Sequence, residues 1–152
     1  MRLEYFQMVD RIEEVAPAEG RIRARAVVPE TSPIFEGHFP GYPIMPGVLL
    51  IETMAQTAGY LLLAIHRFER MPFLIEVRGA KLRSFVEPGT AMTVDATLEH
   101  DGSGFAITKA RIAAGDRAIA DAEIRFRTLA FPSPELARMM RETAARIGLV
   151  QA

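Results

Sequence analysis

The hydrophobic pattern of the chain is dominated by one segment, Gly47 to Ile65, in which nearly every residue is apolar. A helix that is apolar on almost all sides is normally buried inside a protein. At 1.5 Å per residue, a helix over this segment would be about 28 Å long. The pattern therefore predicts a long central helix that the rest of the chain surrounds.

Most of the remaining chain alternates between apolar and polar residues, which is the period of a strand with one buried face. The predicted strands cover Arg21–Val27, Phe73–Phe85, Met92–Glu99, Phe105–Ala113 and Arg117–Arg127. Turns containing glycine separate them, so neighbouring strands are expected to be antiparallel. Small residues on the inward faces leave room for the helix: Ala96, Ala110, Ala120 and Ala122. An antiparallel sheet with one buried helix is an α+β architecture.

Two further segments fall outside the alternating pattern. Residues 29–46 are rich in proline and glycine and predict a long structureless loop, of the kind that is usually functional. Near the C-terminus, Ser133-Pro134-Glu135 has the residue types of a helix N-cap, first position and acidic first turn. We therefore expect an extra C-terminal helix from Glu135 to about Arg146. Its predicted apolar stripe consists of Leu136, Met139, Met140 and Ile147.

Composition narrows the classes of function. The 152 residues suit one domain, and a net charge of −1 argues against binding to nucleic acid. The absence of cysteine excludes disulfides, a thiol nucleophile and zinc–thiolate sites. Acidic residues near the N-terminus are not typical of a signal peptide, so we expect a cytoplasmic protein. Membrane insertion is not expected, because Glu52 within the apolar segment would cost about 2.5–3.5 kcal/mol.

His38 in the loop and Glu52 in the helix are the candidate acid–base pair. A histidine can take up a proton near neutral pH, and a carboxyl group in apolar surroundings can hold one. Gln56 lies one turn beyond Glu52 and can orient it, while the backbone N–H of Gly47 lies at the positive end of the helix dipole. Removal of an α-proton beside a carbonyl, followed by loss of a β-hydroxyl, requires a base, an acid and an oxyanion donor.

Structural roles for the same residues remain open on spacing alone. His38 could make only local hydrogen bonds, Glu52 could pair with an arginine in a dimer interface, and Gln56 could fill a buried polar gap. The three histidines, His38, His66 and His100, lack the spacing of metal ligands, so no metal site is predicted.

The residues around this pair resemble one enzyme family. Gly37-His38-Phe39-Pro40-Gly41, Pro43-Ile44-Met45-Pro46-Gly47-Val48-Leu49, and Glu52 with Met54-Ala55-Gln56 resemble the β-hydroxyacyl-acyl-carrier-protein dehydratases of type II fatty acid synthesis. The separation of His38 and Glu52 also matches. With Glu at position 52 and Val at position 48, the chain resembles the dehydratase-only branch of the family. The dehydratase/isomerase branch has Asp at position 52 and typically Cys at position 48. The similarity extends from about residue 5 to residue 128.

This resemblance implies a hotdog fold, in which an antiparallel sheet wraps around the long helix. Residues 1–130 would form the hotdog dehydratase domain, and residues 131–152 would be a C-terminal helical extension. His38 would remove the α-proton, Glu52 would assist departure of the β-hydroxyl, and the Gly47 N–H would bind the thioester carbonyl, with Gln56 orienting the site. The reaction would convert a (3R)-hydroxyacyl thioester into a trans-2-enoyl thioester without a cofactor or metal.

The resemblance also implies an assembly and a carrier. A homodimer would be the minimal active unit, with His38 and Glu52 of each site coming from different subunits. Three dimers could assemble into a trimer of dimers. The substrate would arrive on the phosphopantetheine of an acidic acyl carrier protein. The acyl tunnel between subunits would be lined by Phe39, Ile44, Met45 and Phe85. Candidate docking charges for the carrier are Arg67, Arg70, Arg78, Lys81 and Arg83.

Departures from the family pattern favour a specialised paralogue for unusual acyl chains. Tyr42 stands where many dehydratases of this branch have histidine, and Thr90 replaces the usual aspartate after Pro-Gly. The C-terminal helix is predicted to cover the tunnel mouth or to make a contact between dimers. Two other functions stay open: a hotdog acyl thioesterase, and a non-catalytic module that binds acyl groups or the carrier protein.

Overall fold

The computed structural model describes residues 1–150 and contains one antiparallel sheet and three helices. The strands are β1 Arg11–Ala16, β2 Arg21–Val27, β3 Met71–Leu82, β4 Ala91–Gly102, β5 Phe105–Ala114 and β6 Arg117–Leu129. The helices are α1 Ile34–Gly37, α2 Gly47–Ile65 and α3 Pro134–Arg146, with short 3-10 turns at Leu3–Tyr5 and Pro17–Glu19. The predicted α+β fold is confirmed, including the bounds of β2 and α2.

The six strands lie in the order β1-β2-β4-β5-β6-β3, and every neighbouring pair is antiparallel. After β2 the chain crosses the inner face of the sheet as α2 and returns as β3 on the opposite edge. The two edges of the sheet are therefore β1 and β3. This topology places the long helix against the strands that follow it in the chain.

Helix α2 is the centre of the hydrophobic core. Its side chains Leu50, Met54 and Leu61 are at most 2% exposed, and the four inward alanines of β4, β5 and β6 pack within the same core. Two buried hydroxyls on α2, those of Thr53 and Thr57, donate to carbonyl oxygens one turn earlier, so neither is left unpaired. The helix is long and apolar enough to cross a membrane, but more than half of it is buried by the rest of the chain.

Strand β3 differs from its predicted bounds at both ends. It begins at Met71 and so includes Pro72. An edge strand can accept a proline, because the missing N–H can face away from the ladder. Gly79, with a φ of 59°, lies where the pairing with β6 shifts register, so the strand contains a bulge there. The strand ends at Leu82, before Phe85.

The loop over residues 29–46 is not structureless, contrary to prediction. Helix α1 forms within it, and the Ser32 hydroxyl accepts a hydrogen bond from the N–H of Ile34 at 3.2 Å. The end of the loop is tied to the chain after β3, because Met45 N–H donates to Val86 O at 2.8 Å. A four-residue helix leaves no periodic pattern, which is why the sequence did not indicate it.

Helix α3 forms as predicted and is fixed at both ends. The Ser133 hydroxyl caps its start by accepting from Leu136 N–H at 3.2 Å. At its end, Ile12 N–H donates to Ile147 O at 2.6 Å, which ties the helix to β1. The predicted apolar stripe is wrong at Met139, which is 56% exposed, because the helix turns Ala144 toward the core instead. Residues 151 and 152 of the predicted extension lie outside the described residues.

Candidate active site

His38 follows α1, in the loop that leads to α2. Its Nδ1 atom lies 2.9 Å from the carbonyl oxygen of Ile44, and its ring stacks on that of Phe39 with 4.1 Å between centroids. A carbonyl oxygen can only accept a hydrogen bond, so Nδ1 must carry the proton. In the neutral ring Nε2 is then the unprotonated nitrogen, which is the state that a general base requires.

Glu52 is half-buried on α2 and is contacted by Gln56, one turn further along. The Gln56 Nε2 donates to Glu52 Oε1 at 3.0 Å. Gln56 is itself held by the main chain of the N-terminal segment: Nε2 donates to Phe6 O at 2.6 Å, and Oε1 accepts from Met8 N–H at 3.1 Å. One main-chain partner is an acceptor and the other a donor, so the orientation of the amide is determined. Gln56 therefore presents its NH2 group to Glu52.

Gly47 is the first residue of α2, directly after Pro46. Among residues 1–150, its backbone N–H has no hydrogen-bond partner, as is usual for the first N–H groups of a helix. A Cβ atom at this position would collide with the Leu82 side chain at the end of β3. The glycine therefore allows the helix N-terminus to lie close to β3 while its N–H remains available to an anionic oxygen.

An open cavity of about 640 Å³ lies beside Glu52. Its walls come from the N-terminal segment, α2, the start of β3 and α3. The α2 wall consists of Glu52, Ala55, Gln56, Gly59, Tyr60 and Leu63. A volume of this size is within the usual range for small-molecule sites.

His38 does not line this cavity, whereas Glu52 does. The side-chain partners of His38 are Ile44 and Phe39, whereas the partner of Glu52 is Gln56. Within residues 1–150, no three His, Cys, Asp or Glu side chains cluster in a way that could hold a metal ion.

The four predicted tunnel residues fall into two groups. Ile44 and Met45 are buried, at 7% and 3% exposure. Phe39 and Phe85 are 47% and 73% exposed, so in a single chain they present apolar surface to solvent. They belong to segments adjoining the start of α2 and the end of β3, the region where His38 and Gly47 also lie.

The five predicted docking cations are all exposed, but they differ in their partners. Arg78 pairs with Glu76 at 2.7 Å and Arg83 pairs with Asp121 at 2.6 Å. Each hydrogen-bonded guanidinium lowers the pKa of its partner carboxyl group. The guanidinium of Arg70 donates to a main-chain carbonyl, and Arg67 and Lys81 have no carboxylate partner among residues 1–150.

Several cavity residues were not predicted from the sequence. Tyr60 lies two turns beyond Glu52 on the same face of α2, so helical spacing could have indicated it. Burial raises the pKa of Tyr60, and the positive charge of Arg146 acts in the opposite direction. Met140, Thr143 and Arg146 line the cavity only because α3 folds back to form one of its walls, which no local pattern indicates.

The fold and this site define a hotdog-fold protein with a half-buried carboxylate on its central helix. Solved structures share the fold at low identity. A conserved protein from Pseudomonas aeruginosa superposes with a TM-score of 0.65 at 20% identity, covering 83% of this chain and 91% of that chain. A hypothetical thioesterase from Streptococcus pneumoniae, solved with coenzyme A, has a TM-score of 0.63 at 12% identity, covering 81% and 90%. These similarities establish the fold alone.

The chain belongs to the FabA-like family, whose domain model matches residues 2–123. A 3-hydroxyacyl-acyl-carrier-protein dehydratase FabZ from Ligilactobacillus salivarius is 34% identical over 120 residues, covering 78% of this chain and 85% of that protein. The predicted membership of the dehydratase family is confirmed. Helix α3 lies outside the matched residues.

Proposed function

We propose that this protein is a dehydratase that converts (3R)-hydroxyacyl thioesters into trans-2-enoyl thioesters on acyl carrier protein, in fatty acid or related lipid synthesis. The observation that carries the proposal is the state of the candidate pair within a FabA-like chain. The Nδ1 of His38 lies 2.9 Å from a carbonyl oxygen, which leaves Nε2 as the basic nitrogen of the neutral ring, and Glu52 is held by Gln56 at the edge of a cavity.

The proposed reaction is a proton removal coupled to the loss of water. His38 Nε2 takes the proton from the α-carbon, and the bonding electrons of that C–H bond form the new carbon–carbon double bond. The bond between the β-carbon and its hydroxyl breaks, and the protonated Glu52 gives its proton to the departing oxygen. His38 is then charged and Glu52 ionised, and transfer of one proton through solvent restores both.

The N-terminus of α2 supports the proposed binding of the thioester. As the α-proton leaves, negative charge develops on the carbonyl oxygen, and the free N–H of Gly47 at the positive end of the helix dipole can stabilise it. The substrate chain is proposed to remain attached to phosphopantetheine, with Arg67, Arg70, Arg78, Lys81 and Arg83 as candidate contacts for the acidic carrier. No cofactor or metal is required by this chemistry.

We also propose that each active site is shared between two chains of a homodimer joined along β3. This edge strand is twelve residues long, and its side chains Leu74, Ile75 and Leu82 are about half exposed. A long apolar edge is a template for pairing with another strand. The opposite edge, β1, has six residues and includes the charged Glu13 and Glu14. Pairing at β3 would cover the apolar surface near Phe85. We further propose that the protein is cytoplasmic and that its dimers can assemble into a trimer of dimers.

The reaction is tested by following both possible products from one substrate. A 3-hydroxyacyl thioester of the carrier protein is expected to give enoyl thioester absorbance without release of free thiol. Thiol release without enoyl absorbance would support the thioesterase function and contradict this proposal. Carrier binding without either product would support a non-catalytic module.

Replacing Gly47 with proline tests the proposed oxyanion donor. Proline removes the N–H, is accepted at the first position of a helix, and suits the extended conformation of Pro46, which has a ψ of 131°. We expect Gly47→Pro to lower kcat by about 10²–10³-fold. Gly47→Ala is the matched control, because it introduces the same contact with Leu82 but keeps the N–H. Equal losses in both variants would assign the effect to crowding instead.

A further inference from the structure

The cavity beside Glu52 becomes polar at its far end. Its wall on α2 runs from Glu52 past Tyr60 to Leu63, and Tyr60 lies about 12 Å from Glu52 along the helix axis. Between Glu52 and Tyr60 this wall consists of Ala55, Gln56 and Gly59. A chain of methylene groups suits this section, because Ala55 and Gly59 carry no hydrogen-bonding side chain and the Gln56 amide already binds Glu52 and the main chain of Phe6 and Met8.

The far end of the cavity offers donors without a bound acceptor. The Tyr60 hydroxyl has no hydrogen-bond partner among residues 1–150, although the residue is half-buried and lines the cavity. Arg146 lines the same end, close enough for its charge to act on the pKa of Tyr60. Burial raises the pKa of Tyr60, so its hydroxyl remains a donor at neutral pH.

The charge at this end is positive and unpaired within the described chain. The Arg146 guanidinium donates to the Thr143 hydroxyl at 3.0 Å and makes no ion pair with a carboxylate of residues 1–150. Arg2 lines the cavity from the N-terminal segment that contacts Gln56, where it packs over the Tyr5 ring at 4.1 Å. Among residues 1–150, Glu52 is the only carboxylate that lines the cavity, and it lies about 12 Å from Tyr60 along α2.

Helix α3 holds the backbone of Arg146 in a defined place, while the side chain of Arg146 is exposed. Ala144 and Leu149 on either side of it are buried in the core, and the hydrogen bond from Ile12 to Ile147 fixes the end of the helix. Because α3 lies outside residues 2–123, this wall is an addition of this chain to the matched domain. An acyl group entering from Glu52 would therefore meet Arg146 and Tyr60 at its tip.

We propose that the cavity binds acyl chains whose far end carries a carboxylate, and that Arg146 and Tyr60 bind that carboxylate. The inference rests on the proposed function, because the acyl group is positioned with its β-carbon at Glu52. A guanidinium and a phenol together provide charge-assisted hydrogen bonds that a methyl terminus cannot use. The preferred substrates are thus 3-hydroxyacyl thioesters of medium length with a terminal carboxylate.

The test compares three 3-hydroxyacyl thioesters of equal length, ending in a carboxylate, its methyl ester or a methyl group. The wild-type protein is expected to show a kcat/KM at least about tenfold higher for the carboxylate than for the methyl end, the effect of one charged hydrogen bond. Arg146→Gln should bring this ratio close to one by raising KM for the carboxylate substrate, and Tyr60→Phe should reduce it partly. The ester should behave like the methyl substrate.

Arg138→Gln is the matched control on α3. Arg138 pairs with Glu142 on the exposed side of the helix and does not line the cavity, so the ratio should stay at the wild-type value. Dehydration of all three substrates without a preference, or with a ratio unaffected by Arg146→Gln, would overturn this inference alone. If no substrate is dehydrated, the proposed function fails and this inference fails with it.

Discussion

Glu52→Gln is expected to lower kcat by about 10²–10⁴-fold, the usual contribution of a positioned general acid. Glutamine has nearly the same shape as glutamate, and its oxygen can still accept the hydrogen bond from Gln56, which measures 3.0 Å in the structure. The substitution therefore removes the transferable proton while leaving the packing of α2 intact. Single-turnover measurement of enoyl formation separates this chemical defect from any change in substrate binding.

Glu36→Gln is the matched control for this substitution. Glu36 is exposed on α1, two residues before His38, and its side chain has no hydrogen-bond or ion-pair partner among residues 1–150. The substitution therefore removes the same charge away from the candidate pair. Its kcat should stay close to wild type, and the free energy of unfolding should be nearly unchanged in both variants. Wild-type turnover in Glu52→Gln would remove Glu52 from the mechanism.

The part of the fold that local patterns determine was predictable from the sequence. Helix α2 begins and ends where predicted, because Pro46 precedes its first turn and the apolar run stops at His66. A turn containing glycine was also predicted between β4 and β5. The structure has a two-residue turn there, in which Ser103 and Gly104 take positive φ values. In both cases the physical cause lies within a few residues of the observed structure.

The candidate site could be predicted only in part. The types and spacing of His38 and Glu52 indicated acid–base chemistry, but the proton position on His38 depends on where the Ile44 carbonyl lies. The cavity depends on contacts between distant segments, such as the Gln56 amide with Phe6 and Met8. Its polar end depends on α3 folding back to form a wall of the cavity. Such contacts are a property of tertiary packing, which residue spacing does not encode.

His38 does not line the cavity beside Glu52, and an experiment with mixed dimers can determine whether one active site uses both residues from one chain or one residue from each of two chains. If both residues came from one chain, His38→Ala and Glu52→Gln subunits would each carry one defective site, whatever their partner. If each site takes one residue from each chain of a twofold dimer, a mixed dimer has one site with both defects and one site with none.

Co-expression of equal amounts of His38→Ala and Glu52→Gln chains is therefore expected to restore activity to about a quarter of the wild-type value, because half of the randomly paired dimers are mixed and each has one intact site. Each variant purified alone is the control and should remain inactive.

Adding Ile75→Glu to both chains places a charge on the exposed β3 edge, and it should abolish the restored activity together with the dimer mass. Arg11→Glu on β1 introduces the same side chain at the other edge and should leave both unchanged. An inactive mixture of dimers would show that His38 and Glu52 act within one chain, and would require α1 and its loop to move toward the cavity during catalysis.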